Sequence, residues 1–170
     1  MAAWYRDEGP FFRSSGRPGF ATLPGGRLLV GEYPQPGDVA WLRDEQGVGA
    51  VLCLQDDDDF ASKRLDPRGM TDAYRDGGIE FHRVPVIDGD FEHLAARLPE
   101  IVERLHGLIA AGHRVYLHCN AGFNRAPTVA IAYLHVHGGL DLAAAERVVR
   151  EHRPCAPYRR ALEQAFPGSR

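Results

Sequence analysis

Between residues 27 and 166 the chain alternates short apolar runs with longer stretches in which apolar residues recur every three or four positions. The first pattern predicts strands, the second helices. RLLVGEY (27–33), AVLCLQ (50–55), IEFHRVPV (79–86) and RVYLH (114–118) read as strands. Val39, Trp41 and Leu42 predict a helix over 38–46, and Asp66-Pro67 with Gly77-Gly78 supply the start and stop of a second. Leu98, Ile101, Val102, Leu105, Leu108 and Ile109 predict the longest helix before residue 115, over 94–111, with Pro99 near its start. Further helices are expected over 128–137, over 141–152 with Asp141 as cap, and over 159–166.

Strands that alternate with helices predict an α/β fold, a single domain in which a central parallel or mixed sheet is flanked by helices. DDDD (56–59) is expected to be a solvated loop. Residues 1–26 carry Gly9-Pro10, Pro18-Gly19 and Pro24-Gly25-Gly26, which predict an extended lead-in whose Trp4, Tyr5, Phe11 and Phe12 pack on a domain spanning 27–170.

Composition narrows the classes. With 170 residues, 44% of them hydrophobic, the chain has material for one well-buried domain. A formal charge of -3 and a pI near 6.2 provide no global attraction to nucleic acid or to an anionic membrane, so neither is an expected partner. Any anionic ligand must be held locally. Cys53, Cys119 and Cys155 are an odd count without zinc-ligand spacing, which speaks against a disulfide framework or a metal site. No basic segment leads into an apolar core, and no apolar run approaches the ~20 residues of a membrane span. A soluble, cytoplasmic protein is the expectation.

The candidate chemistry lies in VYLHCNAGFNRAPTVAI (115–131), where an apolar strand ends at His118-Cys119 and a helix follows past Arg125. Successive amides of Asn120, Ala121, Gly122, Phe123, Asn124 and Arg125 in a tight loop form an anion cradle, reinforced by the positive end of the following helix. The same field lowers a thiol pKa from about 8.5 toward ~3.5–7.5, which would make Cys119 a thiolate. Arg125 offers a planar fork for two phosphate oxygens. Gly122 and Asn124 are the residues expected at positive φ.

His118-Cys119, five residues, then Arg125 resembles the signature of cysteine-dependent phosphatases, and HCNAG with its helix looks like the dual-specificity branch. The resemblance implies a dual-specificity phosphatase-like fold, a phosphocysteine intermediate on Cys119, and no metal or other cofactor. It also implies a general acid on the loop after a strand, placed at Asp88 with Asp90 as runner-up, and a supporting role for His118 in orienting the loop. RAP after the loop, VGEYPQPGDVAWL, VLCLQDDDD and HRPCAP are similar to segments of plant glucan phosphatases. Expected substrates are therefore phosphorylated proteins or phosphorylated glucan.

Several residues remain open at this level. Ala126 stands where most relatives carry a serine or threonine hydroxyl, so breakdown of the intermediate is expected to be slower. Phe123, with Phe91 or Tyr33, is a candidate stacking surface, and packing is the alternative. Cys53 is a candidate redox partner of Cys119, with a buried core thiol as the alternative, and Cys155 reads as structural. His135 and His137 point to different faces of their helix, and Arg159-Arg160 reads as surface charge. A catalytically dead module that binds a phosphorylated partner is the competing class.

Overall fold

The computed structural model describes residues 16–169, and Trp4, Tyr5, Phe11 and Phe12 lie outside them. Among the described residues five strands form one mixed sheet: β1 (Phe20–Thr22), β2 (Leu28–Gly31), β3 (Ala50–Cys53), β4 (Glu80–Arg83) and β5 (Val115–His118). Their order across the sheet is β1-β2-β5-β3-β4, with β1 antiparallel at one edge and every other neighbouring pair parallel. β1 falls inside the segment expected to be a lead-in; at three residues with Gly19 before it, its apolar run is too short to stand out from the surrounding turn residues.

Among the described residues seven α-helices flank the sheet: α1 (Val39–Asp44), α2 (Asp57–Ser62), α3 (Pro67–Gly77), α4 (Phe91–Ala110), α5 (Arg125–Val136), α6 (Leu142–His152) and α7 (Arg159–Ala165). Alternation of side chains along the strands divides the core in two. Val30, Leu52, Leu54 and Leu117 pack with residues of α4, α5, α6 and α7. Leu29, Val51, Cys53 and Tyr116 pack on the other face with Val39, Leu42, Met70 and Tyr74.

The capping signals at Asp66 and Asp141 are realised: Asp66 accepts from Arg68 N and Gly69 N, and Asp141 from Ala144 N. Three expectations are corrected. DDDD is no solvated loop but the cap and first turn of α2, where Asp56 Oδ1 accepts from Asp59 N while Asp59 Oδ2 accepts from Asp56 N. α4 starts at Phe91 under an Asp90 cap, so Pro99 lies inside the helix; buried Leu94, Ala95 and Leu98 carry the apolar stripe across the proline and outweigh its helix-breaking cost. α5 begins at Arg125 rather than at 128, because Pro127 falls in the first turn, where no amide partner is required.

β5 is the central strand. The chain leaves β2, skips a place to β3, and returns to fill it only with β5, so the carboxyl end of β5 lies at a topological switch point, where open α/β sheets bind ligands. Among the described residues no helix is long and apolar enough to cross a membrane.

Candidate active site

Six consecutive carbonyls set the shape of the loop after β5. Cys119 O meets His118 Nδ1 at 2.9 Å, Asn120 O accepts from Tyr33 N, and Ala121 O and Gly122 O accept from the Arg153 guanidinium at 2.8 and 2.7 Å. Phe123 O accepts from Ala156 N, and Asn124 O from Thr128 N. All six are therefore directed into the surrounding scaffold. A trans peptide points its N–H opposite its C=O, so the amides of residues 120–125 turn toward the other side, where they can converge on an anion.

Gly122 takes φ +61°, and a Cβ there would lie 2.5 Å from the Gly31 backbone, so glycine is required both for its conformation and for this close approach. Asn124 does not take the positive φ expected of it; its φ is -116°. Its side-chain amide instead donates to Ala156 O at 2.7 Å, which ties the loop to the segment before α7.

Cys119 is 3% exposed at the floor of a space of about 10 Å³ lined by Asp88, Asn120, Ala121, Phe123, Asn124 and Arg125. The fold thus brings the thiol, the guanidinium and Asp88 together. His118 Nδ1 faces the Cys119 carbonyl, which can only accept, so that nitrogen carries the proton and donates. Burial, opposed in part by this hydrogen bond, pushes the His118 pKa down to about 4, leaving a neutral ring that fixes the first peptide of the loop.

Arg125, 1% exposed, is held along one edge by a carboxylate that the sequence did not single out. Its Nη1 donates to Asp59 Oδ2 at 2.6 Å and to Val86 O at 2.8 Å, and its Nη2 donates to Asp59 Oδ1 at 3.2 Å. Asn120 Nδ2 also donates to Asp59 Oδ1, and Gln55 Nε2 donates to Asn120 Oδ1. Burial alone would raise the Asp59 pKa, but the hydrogen bonds and charge of Arg125 outweigh it and hold the carboxyl below the ordinary aspartate range. The signal available in the sequence was the Asp-x-x-Asp spacing of a capping box just before Phe60, which places the second acid at a defined point of the first helical turn.

With Nη1 and one side of Nη2 engaged, Nε and the far side of Nη2 make up the other edge of the guanidinium, the one beside Asp88. Asp88 Oδ1 lies 3.4 Å from Nε, and the same oxygen accepts from the Tyr158 hydroxyl at 2.7 Å. Asp90 is turned to other work, accepting from His93 N at 2.9 Å as the cap of α4.

A cleft of about 450 Å³ adjoins the cradle and shares Asp88 with it; Gly89, Asp90, Phe91, Glu92 and Arg160 complete its lining. A second cavity, of about 800 Å³ beside α6 and α7, has no thiol in its lining. Phe91 and Phe123 are half-buried, whereas Tyr33 is buried and does not reach the rim. Ala126 is fully buried in the core beneath the loop. Cys53 is buried on the opposite face of the sheet from Cys119, and burial pushes its pKa up to about 12. Cys155 is buried in the core.

The pattern of the dual specificity phosphatase catalytic domain matches residues 42–163. Phosphoglucan phosphatase DSP4, amyloplastic, of Castanea sativa is 35% identical over 143 residues, which are 81% of this chain and 37% of that protein. Laforin of Mus musculus is 30% identical over 122 residues, 66% of this chain and 37% of the relative. The chain thus spans little more than a third of the length of either relative. In fold it is similar to the crystal structure of PTPMT1, with a TM-score of 0.70, 21% identity, and coverage of 86% of this chain and 90% of that one.

Proposed function

The chain belongs to the dual-specificity phosphatase family, and from this premise we propose that it hydrolyses phosphomonoesters through a phosphocysteine on Cys119. The observation that carries the reading is the meeting of Cys119, the loop residues Asn120, Ala121, Phe123 and Asn124, Arg125 and Asp88 around one small space. A phosphoryl group entering that space takes over the Arg125 Nε edge from Asp88 and receives the loop amides on its equatorial oxygens. The Cys119 thiolate attacks phosphorus in line, the P–O bond to the leaving group breaks, and Asp88 gives that oxygen its proton. Asp88, now a carboxylate, takes a proton from water as the water attacks phosphorus, and the S–P bond breaks to release phosphate and the thiolate.

The adjoining cleft supports phosphorylated glucan as the substrate. Three acidic side chains, Asp88, Asp90 and Glu92, line it beside Arg160 and Phe91. Sugar hydroxyls can hydrogen-bond to such groups and a sugar face can lie on the ring, while further phosphates on a polyanionic substrate would be repelled. The named activity of the Castanea sativa relative agrees with this choice.

The test is phosphate release from a phosphorylated glucan and from a phosphotyrosine peptide in parallel, under reducing conditions, with Cys119→Ser as control. Faster release from the glucan, abolished in Cys119→Ser, is the expected result. Preference for the peptide would return the protein to protein dephosphorylation. Release that survives in Cys119→Ser, or no release from either substrate, would overturn the mechanism and favour a phosphate-binding module.

A further inference from the structure

We propose that Tyr158 is the positioning residue that holds the proton donor in place when substrate fills the cradle. The proposal rests on the reading of Asp88 as that donor. Asp88 Oδ1 lies 3.4 Å from Arg125 Nε and 2.7 Å from the Tyr158 hydroxyl, which donates to it. The Nε edge is the one a phosphoryl group must take. Once it does, Arg125 no longer steadies the carboxyl, and the tyrosine contact is the one that persists.

Asp88 is exposed and sits on a loop beside Gly89, whose φ is +79°, so the loop backbone alone fixes it poorly. Tyr158, in contrast, is anchored from several directions. Its amide donates to Thr128 Oγ1 at 2.8 Å, and the Thr128 hydroxyl donates to Asn124 O at the end of the cradle. Its ring packs edge-on against Phe91, the first residue of α4 after the acid loop, with centroids 5.0 Å apart. The hydroxyl thus reaches Asp88 from a frame built on the cradle's own helix. Burial, and then the hydrogen bond to Asp88, raise the phenol pKa, so it keeps its proton and remains a donor. With Oδ1 occupied by that bond, Oδ2 is the oxygen left to carry the proton for the leaving group.

The experiment compares wild type, Tyr158→Phe, Asp88→Asn and the double variant on p-nitrophenyl phosphate and on an alkyl phosphate, with inhibition by inorganic phosphate as a probe of the cradle. A good leaving group needs little protonation and a poor one depends on it, so Tyr158→Phe is expected to lower kcat on the alkyl phosphate by ~10-fold and on the aryl phosphate by less than about threefold. Inhibition by phosphate should be unchanged, and the substitution should have no further effect in the Asp88→Asn background, as for two groups acting as one unit. An equal loss on both substrates, weakened phosphate inhibition, or an undiminished loss in the Asp88→Asn background would overturn the role of Tyr158. If Asp88→Asn itself spares the alkyl phosphate, the reading of Asp88 fails first, and the two failures are told apart.

Discussion

Two acidic runs follow two neighbouring parallel strands, Asp56 to Asp59 after β3 and Asp88 to Asp90 after β4, and both reach Arg125. The first is wound into a helix start, which turns Asp59 inward until it is 7% exposed and paired with both Nη atoms of the arginine. The second remains a turn, so Asp88 stays exposed and meets Arg125 at Nε, at the longer range of 3.4 Å. One carboxylate holds the guanidinium from behind while the other is available at its working edge. Local backbone form, rather than acidity, separates an acid that holds the site from the one proposed to move a proton within it.

Replacing Asp59 tests the contrast most severely. Asp59→Ala leaves the buried charge of Arg125 and the amide of Asn120 without their partner, and a loss of about 3–5 kcal/mol in unfolding free energy is expected. Urea denaturation measures it, and a loss below about 1 kcal/mol would mean that the pair is not the support it resembles. Phosphate release should fall as well, since Val86 O alone is then left of the contacts that hold the Nη1 edge of Arg125. Asp88→Ala should do the reverse. Its stability is expected to stay within about 1 kcal/mol of wild type because the pairing is solvent-screened. Turnover of an alkyl phosphate, however, should fall by ~10²–10⁴-fold.

Acid titration sharpens the difference further. The folded pKa of Asp59 lies below its unfolded value, so its contribution to stability is complete above the ordinary aspartate range and fades as pH falls through the folded value. While the unfolded chain holds that proton and the folded one does not, each unit of pH removes up to about 1.4 kcal/mol. Asp59→Asn should flatten that part of the profile of unfolding free energy against pH. His118 acts in a higher window, between about 6.5 and about 4, where the unfolded ring takes up a proton that the buried one refuses, and this slope should survive in the variant.

The strand-loop-helix around Cys119 was legible because its parts reinforce one another locally: an apolar strand, glycine at the one position of positive φ, and an arginine opening a helix. The caps at Asp66 and Asp141 were legible for the same reason. Asp59 and Tyr158 were not. The first owes its importance to a partner 66 residues away and the second to one 70 residues away, and no local spacing encodes either meeting. Asn124 shows the converse, since its composition suited a left-handed turn and a hydrogen bond to Ala156 O accompanied another backbone form. The acid run after β3 misled because a string of aspartates looks uniform until a helix start sorts it by position.

That sorting predicts small effects for the remaining acids. Asp90 caps α4 through His93 N, so Asp90→Ala should cost about 1 kcal/mol of stability and show no greater loss on alkyl than on aryl phosphates. Asp58 sits in the same helical turn as Asp59 but is exposed. Its interaction with the helix dipole is screened, and Asp58→Ala is expected to change stability by less than about 0.5 kcal/mol with unaltered turnover. One position along the chain then separates the largest effect of the series from the smallest. A large effect at Asp58 would mean that the net negative charge of the run, not the placement of Asp59, supports Arg125.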